Sequence, residues 1–196
     1  MSIGQTTDLV VVGGGVAGLY AALCAAVEAD VVLLSKGPLL SSTSFLAQGG
    51  VAAAIGEDDD PSLHAEDTRA AGRGLSRPSA VRALTDEAPA RVADLVELGV
   101  PFDAGLGLEG GHSRRRVVHA DGAATGARIA RVLAERALAH PRIEVREGER
   151  VLEVAGDGVR TETRSVAARG TLIATGGYAA LWEKGSLGGW GRGFQL

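Results

Sequence analysis

The sequence predicts an α/β fold built on a parallel sheet, and three observations near the amino terminus support this prediction. The run Leu9 to Val12 is apolar and rich in valine, as expected for a parallel strand that is covered on both faces. A glycine cluster follows it, and an alanine-rich run typical of a helix comes next. A second apolar run, Asp30 to Leu34, then arrives at the spacing of a strand–turn–helix–strand unit.

Three glycines between the first strand and the helix fit the pattern G-x-G-x-x-G of dinucleotide-binding turns. Gly13 allows the tight turn, Gly15 lets a pyrophosphate approach the backbone, and Gly18 lets the helix pack closely on the strand. The pattern alone is weak because glycine makes up 29 of the 196 residues, so the prediction depends on the strand before it and the helix after it. Ser35, followed by Lys36, stands where NAD-binding proteins carry an acidic residue for the ribose. This favours a flavin dinucleotide over NAD.

The composition predicts a soluble, globular chain with one domain, or one domain with an intruding piece. Hydrophobic residues make up 45% of the sequence, which is enough to bury a core. The net charge of −4 argues against a large basic surface, so no nucleic-acid partner is expected. The single cysteine, Cys24, excludes an internal disulfide and is interpreted as a small buried packing residue. Because no apolar run is long enough to span a bilayer and residues 1–7 lack the features of a signal peptide, we expect a cytoplasmic protein with no membrane partner.

The segment after the second strand mixes hydroxyl, amide and glycine residues with apolar ones. Residues 41–55 could lie flat against a planar ligand, but an ordinary serine-rich loop explains their composition equally well. Residues 33–37 (LLSKG) and 43–52 (TSFLAQGGVA) are more specific. These two stretches resemble the L-aspartate oxidase family, which is related to the flavoprotein subunits of succinate dehydrogenase and fumarate reductase.

The resemblance implies a Rossmann-like domain that binds FAD without a covalent link. In the dehydrogenase branch a histidine is joined to the flavin, and Thr43 aligns with that position. By the same resemblance, residues 14–17 lie near the pyrophosphate, Lys36 near the adenosine and residues 43–50 along the flavin. The residues implied to bind FAD are Gly13, Gly14, Gly15, Val16, Ala17, Gly18, Ser35, Lys36, Thr43, Ser44, Phe45, Leu46, Ala47, Gln48, Gly49, Gly50, Val151, Thr175, Gly176 and Gly177.

An acidic run, residues 57–60, precedes a predicted helix. Asp60 is expected to cap this helix and Pro61 to occupy its first position. The acids could bind a metal, but a capped and solvated turn is favoured, and no metal site is predicted. His64 and Asp67 are three residues apart on the helix, a spacing that indicates surface pairing more often than catalysis.

The remaining elements are predicted from periodicity and helix-breaking residues. Residues 79–99 read as two short helices broken by Pro89, with Val92, Leu95 and Val96 turned inward. A further helix over residues 125–140 has Ile129, Leu133 and Ala137 on one stripe. A β-rich insert follows, with strands over residues 142–145, 150–154 and 159–166, and a buried strand over residues 170–177 ends in glycines.

The densest polar stretch runs from Glu109 to His119. If it is extended, the side chains of His112, Arg114 and Arg116 form one row, which suits a substrate carboxylate or the FAD pyrophosphate. A solvated basic strand or an RNA-like patch remains the alternative. The stretch Gly-Gly-His-Ser-x-Arg-Arg-x-x-His, ending at His119, is characteristic of L-aspartate oxidases.

The resemblance also implies roles for three residues in this stretch. Glu109 matches a glutamate that faces the amino group of the substrate, and His112 and Arg115 complete the implied catalytic set. Asp121 departs from the family pattern, because two residues separate it from the Ala-Thr-Gly sequence that begins at position 124. The family's main catalytic arginine is expected to be absent from this chain.

The function implied by the resemblance is oxidation of L-aspartate to iminoaspartate, the first step of de novo NAD biosynthesis. Oxygen or fumarate would reoxidise the flavin, and iminoaspartate could be handed to quinolinate synthase. The alternatives are a dicarboxylate oxidoreductase of the fumarate reductase or succinate dehydrogenase type, and a non-catalytic FAD-binding remnant. We expect residues 1–182 to form an incomplete FAD-binding domain, with the substrate side beginning around residues 100–120, and residues 183–196 to be a glycine-rich tail of a truncated chain with uncertain activity.

Overall fold

The computed structural model of the chain describes residues 5–177. Backbone contacts divide the chain into two compact units. The first combines the residues up to Leu46 with those from Ala130 onward, and the second is Ala47–Ile129. The predicted boundary at Trp182 and the predicted tail, residues 183–196, lie outside the described residues.

The first unit is built on a six-stranded sheet. Its strands are β1 (Gln5–Val12), β2 (Val31–Ser35), β5 (Ile143–Glu147), β6 (Val151–Ala155), β7 (Gly158–Thr161) and β8 (Ser165–Ile173). They lie in the order β5-β2-β1-β8-β7-β6, with β5, β2, β1 and β8 parallel and with β7 and β6 continuing the sheet antiparallel. This confirms the α/β class with a parallel sheet and a β-rich insert.

The core of the first unit lies at the centre of this sheet. Val11 of β1 pairs with Leu33 of β2 on one side and with Leu172 of β8 on the other. All five residues of β2 are buried, and Val10 to Val12 of β1 are buried as well. The unbroken apolar runs in the sequence therefore reflect strands covered on both faces.

The first helix, α1 (Val16–Ala25), packs on the sheet through a narrow face, with Gly18, Leu19 and Ala22 buried. Cys24 is exposed, so its interpretation as a buried packing residue is wrong. Cys24 lies two residues beyond Ala22, which turns it about 200° around the helix axis and away from the sheet. An alanine-rich helix lacks the polar face that would have revealed this orientation.

Strand β8 contains residues from two strands that the sequence predicts separately, at residues 159–166 and 170–177. Its first three residues pair antiparallel with β7, and the strand pairs parallel with β1 from Val166 to Ile173. The insert and the predicted final strand, residues 170–177, therefore share one strand that ends at Ile173. The end of this strand is not buried, since Ile173 is 62% exposed.

The second unit contains two helices, α2 (Pro61–Gly72) and α3 (Pro78–Glu97), and a two-stranded ladder of β3 (Val51–Ala52) with β4 (Val117–Val118). Its core cluster consists of Ala53, Val92 and Val118. Helix α4 (Thr125–Ala139) begins in this unit and continues into the first. Its predicted stripe of Ile129, Leu133 and Ala137 is buried.

Helix α3 is continuous through Pro89, so the prediction of two short helices is wrong. A proline inside a helix removes one backbone hydrogen bond and costs about 3 kcal/mol. Burial of Val81, Thr85, Val92 and Leu95 along one stripe offsets this cost, because all four contribute to packing on the same side. Val96 is 54% exposed, contrary to the prediction that it turns inward. Within residues 5–177 no helix is both long and apolar enough to cross a membrane.

Candidate functional site

The glycine turn between β1 and α1 meets the segment that follows β8. Gly13 has a φ of 121°, and its amide donates to the carbonyl oxygen of Leu34 at 2.8 Å. A Cβ atom at this position would collide with the carbonyl oxygen of Ala174 and lie 3.1 Å from the amide nitrogen of Thr175. The structure thus brings together the predicted residues Gly13 and Thr175, which are far apart in the sequence.

The next residues of the turn open the amino terminus of α1. A Cβ atom at Gly14 would lie 2.6 Å from the hydroxyl oxygen of Ser35, so only glycine fits there. Gly15 is the N-cap residue of α1, and as a glycine it has no side chain to cap the helix. The amide of Val16 has only a long contact, 3.4 Å, to the hydroxyl oxygen of Ser44. Weakly satisfied amides at a helix start favour an anion.

Ser35 and Lys36 lie beside this turn at the end of β2. The Ser35 hydroxyl donates to the carbonyl oxygen of Gly37 at 2.7 Å, and the Ser35 carbonyl accepts from the amide of Glu149 at 3.0 Å. The second bond places the start of β6, where Val151 packs on the sheet core, near Ser35. Burial lowers the pKa of Lys36, and the nearby charge of Arg150 adds to this effect.

The segment predicted to lie along the flavin begins in the first unit with a turn. The amide of Leu46 donates to the carbonyl oxygen of Thr43 at 3.2 Å, and the Thr43 side chain is exposed. The guanidinium carbon of Arg131 lies 5.5 Å from the centre of the Phe45 ring. This cation–π contact holds the turn against α4.

The same segment continues into the second unit, where Ala47, Gln48 and Gly49 are exposed. The Ala47 carbonyl accepts from the amide of Gly126 at 2.9 Å. Gly50 has a φ of 78°, and a Cβ atom there would lie 2.5 Å from a methyl carbon of Val117. The predicted flavin contacts at residues 43–50 remain predictions, and in the first unit the predicted residues that converge on the glycine turn are Ser35, Ser44 and Thr175.

The polar stretch from Glu109 to His119 is a turn followed by bends, so it is not extended and the predicted row of His112, Arg114 and Arg116 does not form. The His112 amide donates to the Glu109 carbonyl oxygen at 3.2 Å, which closes a turn. Gly111 has a φ of 89°, a left-handed conformation that breaks an extended run. Strand β4 begins only at Val117.

Glu109 pairs with His119 across this turn. The carboxylate oxygen Oε1 lies 3.3 Å from Nε2 of His119, and half of the Glu109 side chain is exposed. The His119 ring packs closely against the backbone of two glycines. A Cβ atom added to Gly50 would lie 3.0 Å from the ring, and one added to Gly107 would lie 2.8 Å from it. The arrangement presents an oriented and accessible carboxylate.

Arg116 is fully buried and forms two ion pairs, which no local sequence pattern indicates. Its Nε and Nη2 atoms each lie 2.8 Å from an oxygen of Asp59, and its Nη1 atom lies 2.7 Å from Oδ2 of Asp67. Asp59 is therefore not part of a solvated turn as predicted. Asp60 does cap α2 as predicted, because its carboxylate accepts from the Ser62 amide at 2.8 Å.

His64 is buried beside this ion-pair network, so the predicted surface pairing with Asp67 is wrong. Its side chain is 3% exposed, and its Nδ1 atom has no hydrogen-bond partner among the described residues. The ring centres of His64 and His112 are 5.5 Å apart in an edge-to-face arrangement. Burial lowers the pKa of His64, and the Arg116 charge lowers it further.

The other polar residues of the stretch face outward. Arg115, one of the three implied catalytic residues, is exposed and donates to the carbonyl oxygen of Leu106 at 3.4 Å. Arg114 lies 3.8 Å from the exposed carboxylate of Asp58. Asp121, whose family position is disturbed, pairs with Arg128 at 2.6 Å. Within residues 5–177 no group of three or more His, Cys, Asp or Glu side chains is arranged to hold a metal ion.

The ion pair of Asp67 is expected to make stability depend on pH in the acid range. Burial by itself would raise the pKa of Asp67, but hydrogen bonds from Ser113 and the Arg116 guanidinium hold this pKa below its ordinary value. The stabilisation is present above the unfolded pKa of about 3.9 and is lost as pH falls through the lower folded pKa. Urea unfolding of the wild type and of Asp67→Asn should therefore give free energies that converge as pH falls below about 4. A constant difference across this range would contradict the assignment.

The parallel sheet, its glycine turn and the open start of α1 define a dinucleotide-binding α/β domain that binds FAD. The chain belongs to the FAD binding domain family, whose model matches residues 8–188.

Curated proteins similar to this chain include L-aspartate oxidases. The chain is 40% identical to the one from Mesorhizobium japonicum over 95% of its length, and 43% identical to the one from Streptomyces coelicolor over 90%. It spans 40% and 34% of the length of these two proteins. Among solved structures, a flavocytochrome c3 fumarate reductase matches 91% of the chain with a TM-score of 0.84 and 27% identity, and the chain covers 35% of it. A quinol fumarate reductase from E. coli matches the same share with a TM-score of 0.80 and 29% identity, and the chain covers 34% of it.

The residues of the glycine turn fit a dinucleotide. Side chains at Gly13, Gly14 or Gly18 would clash with neighbouring atoms, whereas the space at Gly15 is open down to the Ser44 hydroxyl at 3.4 Å. The backbone can therefore approach a pyrophosphate closely at this position. The amides at the start of α1 would hold its charge, and Lys36 adds a cation at the end of β2.

Proposed function

We propose that this chain carries the FAD-binding portion of an enzyme that oxidises L-aspartate to iminoaspartate, the first step of de novo NAD biosynthesis. The observation that carries the proposal is the oriented carboxylate of Glu109 beside His119, within a chain 40% identical to an L-aspartate oxidase. An amino acid differs from a plain dicarboxylate by its ammonium group. An accessible carboxylate favours a substrate that carries this cation.

In this proposal, residues of the chain bind and orient the substrate and FAD. Glu109 meets the ammonium group, and His112 donates a hydrogen bond to a carboxylate of the substrate. The amides from Gly14 to Ala17 hold the FAD pyrophosphate, and FAD supplies the capacity to accept a hydride from the substrate. Thr43 has no imidazole to form a covalent link, which supports non-covalent binding.

A dicarboxylate oxidoreductase of the fumarate reductase or succinate dehydrogenase type is the second candidate. The likeness to fumarate reductases at 27% and 29% identity supports it. Glu109 opposes it, because a carboxylate beside a dianionic substrate without an ammonium group would repel it. A non-catalytic FAD-binding remnant is the third candidate.

The proposal is tested on a full-length enzyme that contains this chain, by loading it with FAD and adding L-aspartate or succinate without oxygen. L-Aspartate is expected to bleach the flavin absorbance, and readmission of oxygen to release peroxide. In Glu109→Gln the preference for L-aspartate over succinate should fall by about 10-fold or more, because a charge-assisted hydrogen bond is lost. Glu66→Gln, at an exposed position on α2, is the matched control and should leave the preference unchanged. A yellow protein that neither substrate bleaches would support the remnant, and bleaching by succinate alone would support the fumarate reductase type.

The remaining partners are part of the same proposal. Oxygen or fumarate reoxidises the flavin, which stopped-flow reoxidation with each acceptor would measure. Iminoaspartate passes to quinolinate synthase in the cytoplasm, and a rise in quinolinate yield when the two proteins are combined would test this handover.

The domain boundary at residue 182 is tested by limited proteolysis.

A further inference from the structure

The buried guanidinium of Arg116 limits what the neighbouring His112 can do. Four of the five Arg116 donors are engaged: two bind Asp59 at 2.8 Å each, one binds Asp67 at 2.7 Å and one contacts Nδ1 of His112 at 3.4 Å. The Arg116 side chain is fully buried. It is therefore unavailable to a substrate carboxylate, although the sequence placed it in a carboxylate-binding row.

The contact between Arg116 and His112 has a fixed direction. A guanidinium has donors only and stays protonated, and the two aspartates raise the pKa of Arg116 further despite its burial. Nδ1 of His112 must therefore be the acceptor. In a neutral imidazole only one nitrogen carries the proton, so it then lies on Nε2.

Two further contacts hold the His112 ring in place. The edge-to-face ring of His64 lies 5.5 Å from it, and His64 is itself buried. Asp67 accepts from both the amide and the hydroxyl of Ser113 at 2.8 Å, which ties the residue after His112 to helix α2. The ring and its backbone are thus fixed from three sides, while part of the His112 side chain remains exposed.

We propose that Arg116, clamped by Asp59 and Asp67, is a positioning residue that fixes His112 as the Nε2–H tautomer and makes it a hydrogen-bond donor to a substrate carboxylate. The donor role toward a carboxylate rests on the proposed function, whereas the tautomer follows from the described contacts alone. His112 then orients the substrate and does not act as a proton acceptor at Nδ1.

The tautomer is measured on the whole chain without any cofactor or substrate. Long-range proton–nitrogen NMR spectra of the ¹⁵N-labelled chain, recorded above the ordinary histidine pKa of about 6.5, distinguish a protonated from an unprotonated ring nitrogen. The signals of His112 are assigned by their loss in His112→Gln. We expect Nε2 to carry the proton and Nδ1 to be bare. A proton on Nδ1, or a mixture of both tautomers, would overturn the proposal.

Two variants test the cause of the tautomer. Arg116→Lys keeps the charge but has no fork to reach Asp59, Asp67 and His112 together, so His112 should change to a mixture of tautomers. Arg114→Gln, two residues away and exposed, should leave the tautomer unchanged. An unchanged tautomer in a folded Arg116→Lys variant would overturn the positioning role. If that variant does not fold, the spectrum of the wild type decides the proposal by itself.

Steady-state kinetics test the role of His112 as a hydrogen-bond donor to the substrate. In a full-length enzyme that contains this chain, Arg116→Lys should raise the KM for L-aspartate about 10-fold, with a smaller change in kcat, because a misplaced donor weakens substrate binding. An unchanged KM in a variant whose tautomer has changed would overturn the donor role. A full-length enzyme containing this chain that shows the Nε2–H tautomer but oxidises no L-aspartate would refute the proposed function and leave the tautomer assignment in place.

Discussion

Replacing Arg116 by methionine is expected to lower the free energy of unfolding of the chain by about 3–5 kcal/mol, the usual cost of removing one partner from a buried ion pair. The side chains of Arg116 and Asp59 are both fully buried, and two hydrogen bonds of 2.8 Å join them. The variant leaves the Asp59 carboxylate buried without its counter-charge, and it removes a donor from Asp67. Urea unfolding followed by circular dichroism measures the change.

Arg114→Met is the matched control for this prediction. Arg114 is 43% exposed, and the carboxylate of Asp58, 3.8 Å away, is 79% exposed. An exposed pair of this kind contributes at most about 1 kcal/mol, so the control should lose little stability. Adding Asp59→Asn to Arg116→Met should restore part of the loss, because a neutral amide costs less to bury than a carboxylate. Equal losses in the two single variants would contradict the importance of the buried network.

Replacing Gly18 by alanine is expected to lower the free energy of unfolding by about 2–4 kcal/mol and to abolish FAD binding by the chain. A Cβ atom at this position would overlap the carbonyl oxygen of Gly13. The oxygen belongs to the backbone of the glycine turn, so no side-chain rotation relieves the overlap. Helix α1 must move away from the turn, and its first amides then leave the position where they would meet the pyrophosphate. Flavin fluorescence titration and urea unfolding measure the two effects.

Gly156→Ala tests whether the effect belongs to this glycine or to any loss of glycine. Gly156 lies in the turn between β6 and β7, and a Cβ atom there would meet nothing within 4 Å. The FAD affinity of the Gly156→Ala variant should equal that of the wild type. If Gly18→Ala binds FAD with the affinity of the wild type, the close approach of α1 to the turn is not required for the cofactor.

The arrangement of β1, α1 and β2 was predictable because every contact that defines it is local. The glycines of the turn, the buried valines of β1 and the five buried residues of β2 lie within one continuous stretch, residues 9–35. Each element also carries a pattern that matches its environment, since strands covered on both faces read as unbroken apolar runs. The N-cap at Asp60 was predictable for the same reason, because its bond to Ser62 spans two residues.

Where the local pattern and the long-range contacts disagreed, the prediction was wrong. Pro89 predicts a break, but the buried stripe of α3 keeps the helix continuous. Asp59 reads as part of a solvated acidic run, but its carboxylate pairs with an arginine 57 residues later in the chain. Cys24 reads as buried, but the face of α1 that meets the sheet is set by Gly18, Leu19 and Ala22.

The sequence by itself determined the fold class, the glycine turn and the family, because these follow from hydrophobic periodicity and from residues whose roles are local. Only the tertiary structure decided that Arg116 holds Asp59, Asp67 and His112 together, and that Glu109 pairs with His119. These contacts join segments separated by up to 57 residues or depend on a turn at Gly111, so no period in the sequence encodes them. A buried charge is stable only when its partner arrives in three dimensions, and the folded chain alone brings the partner there.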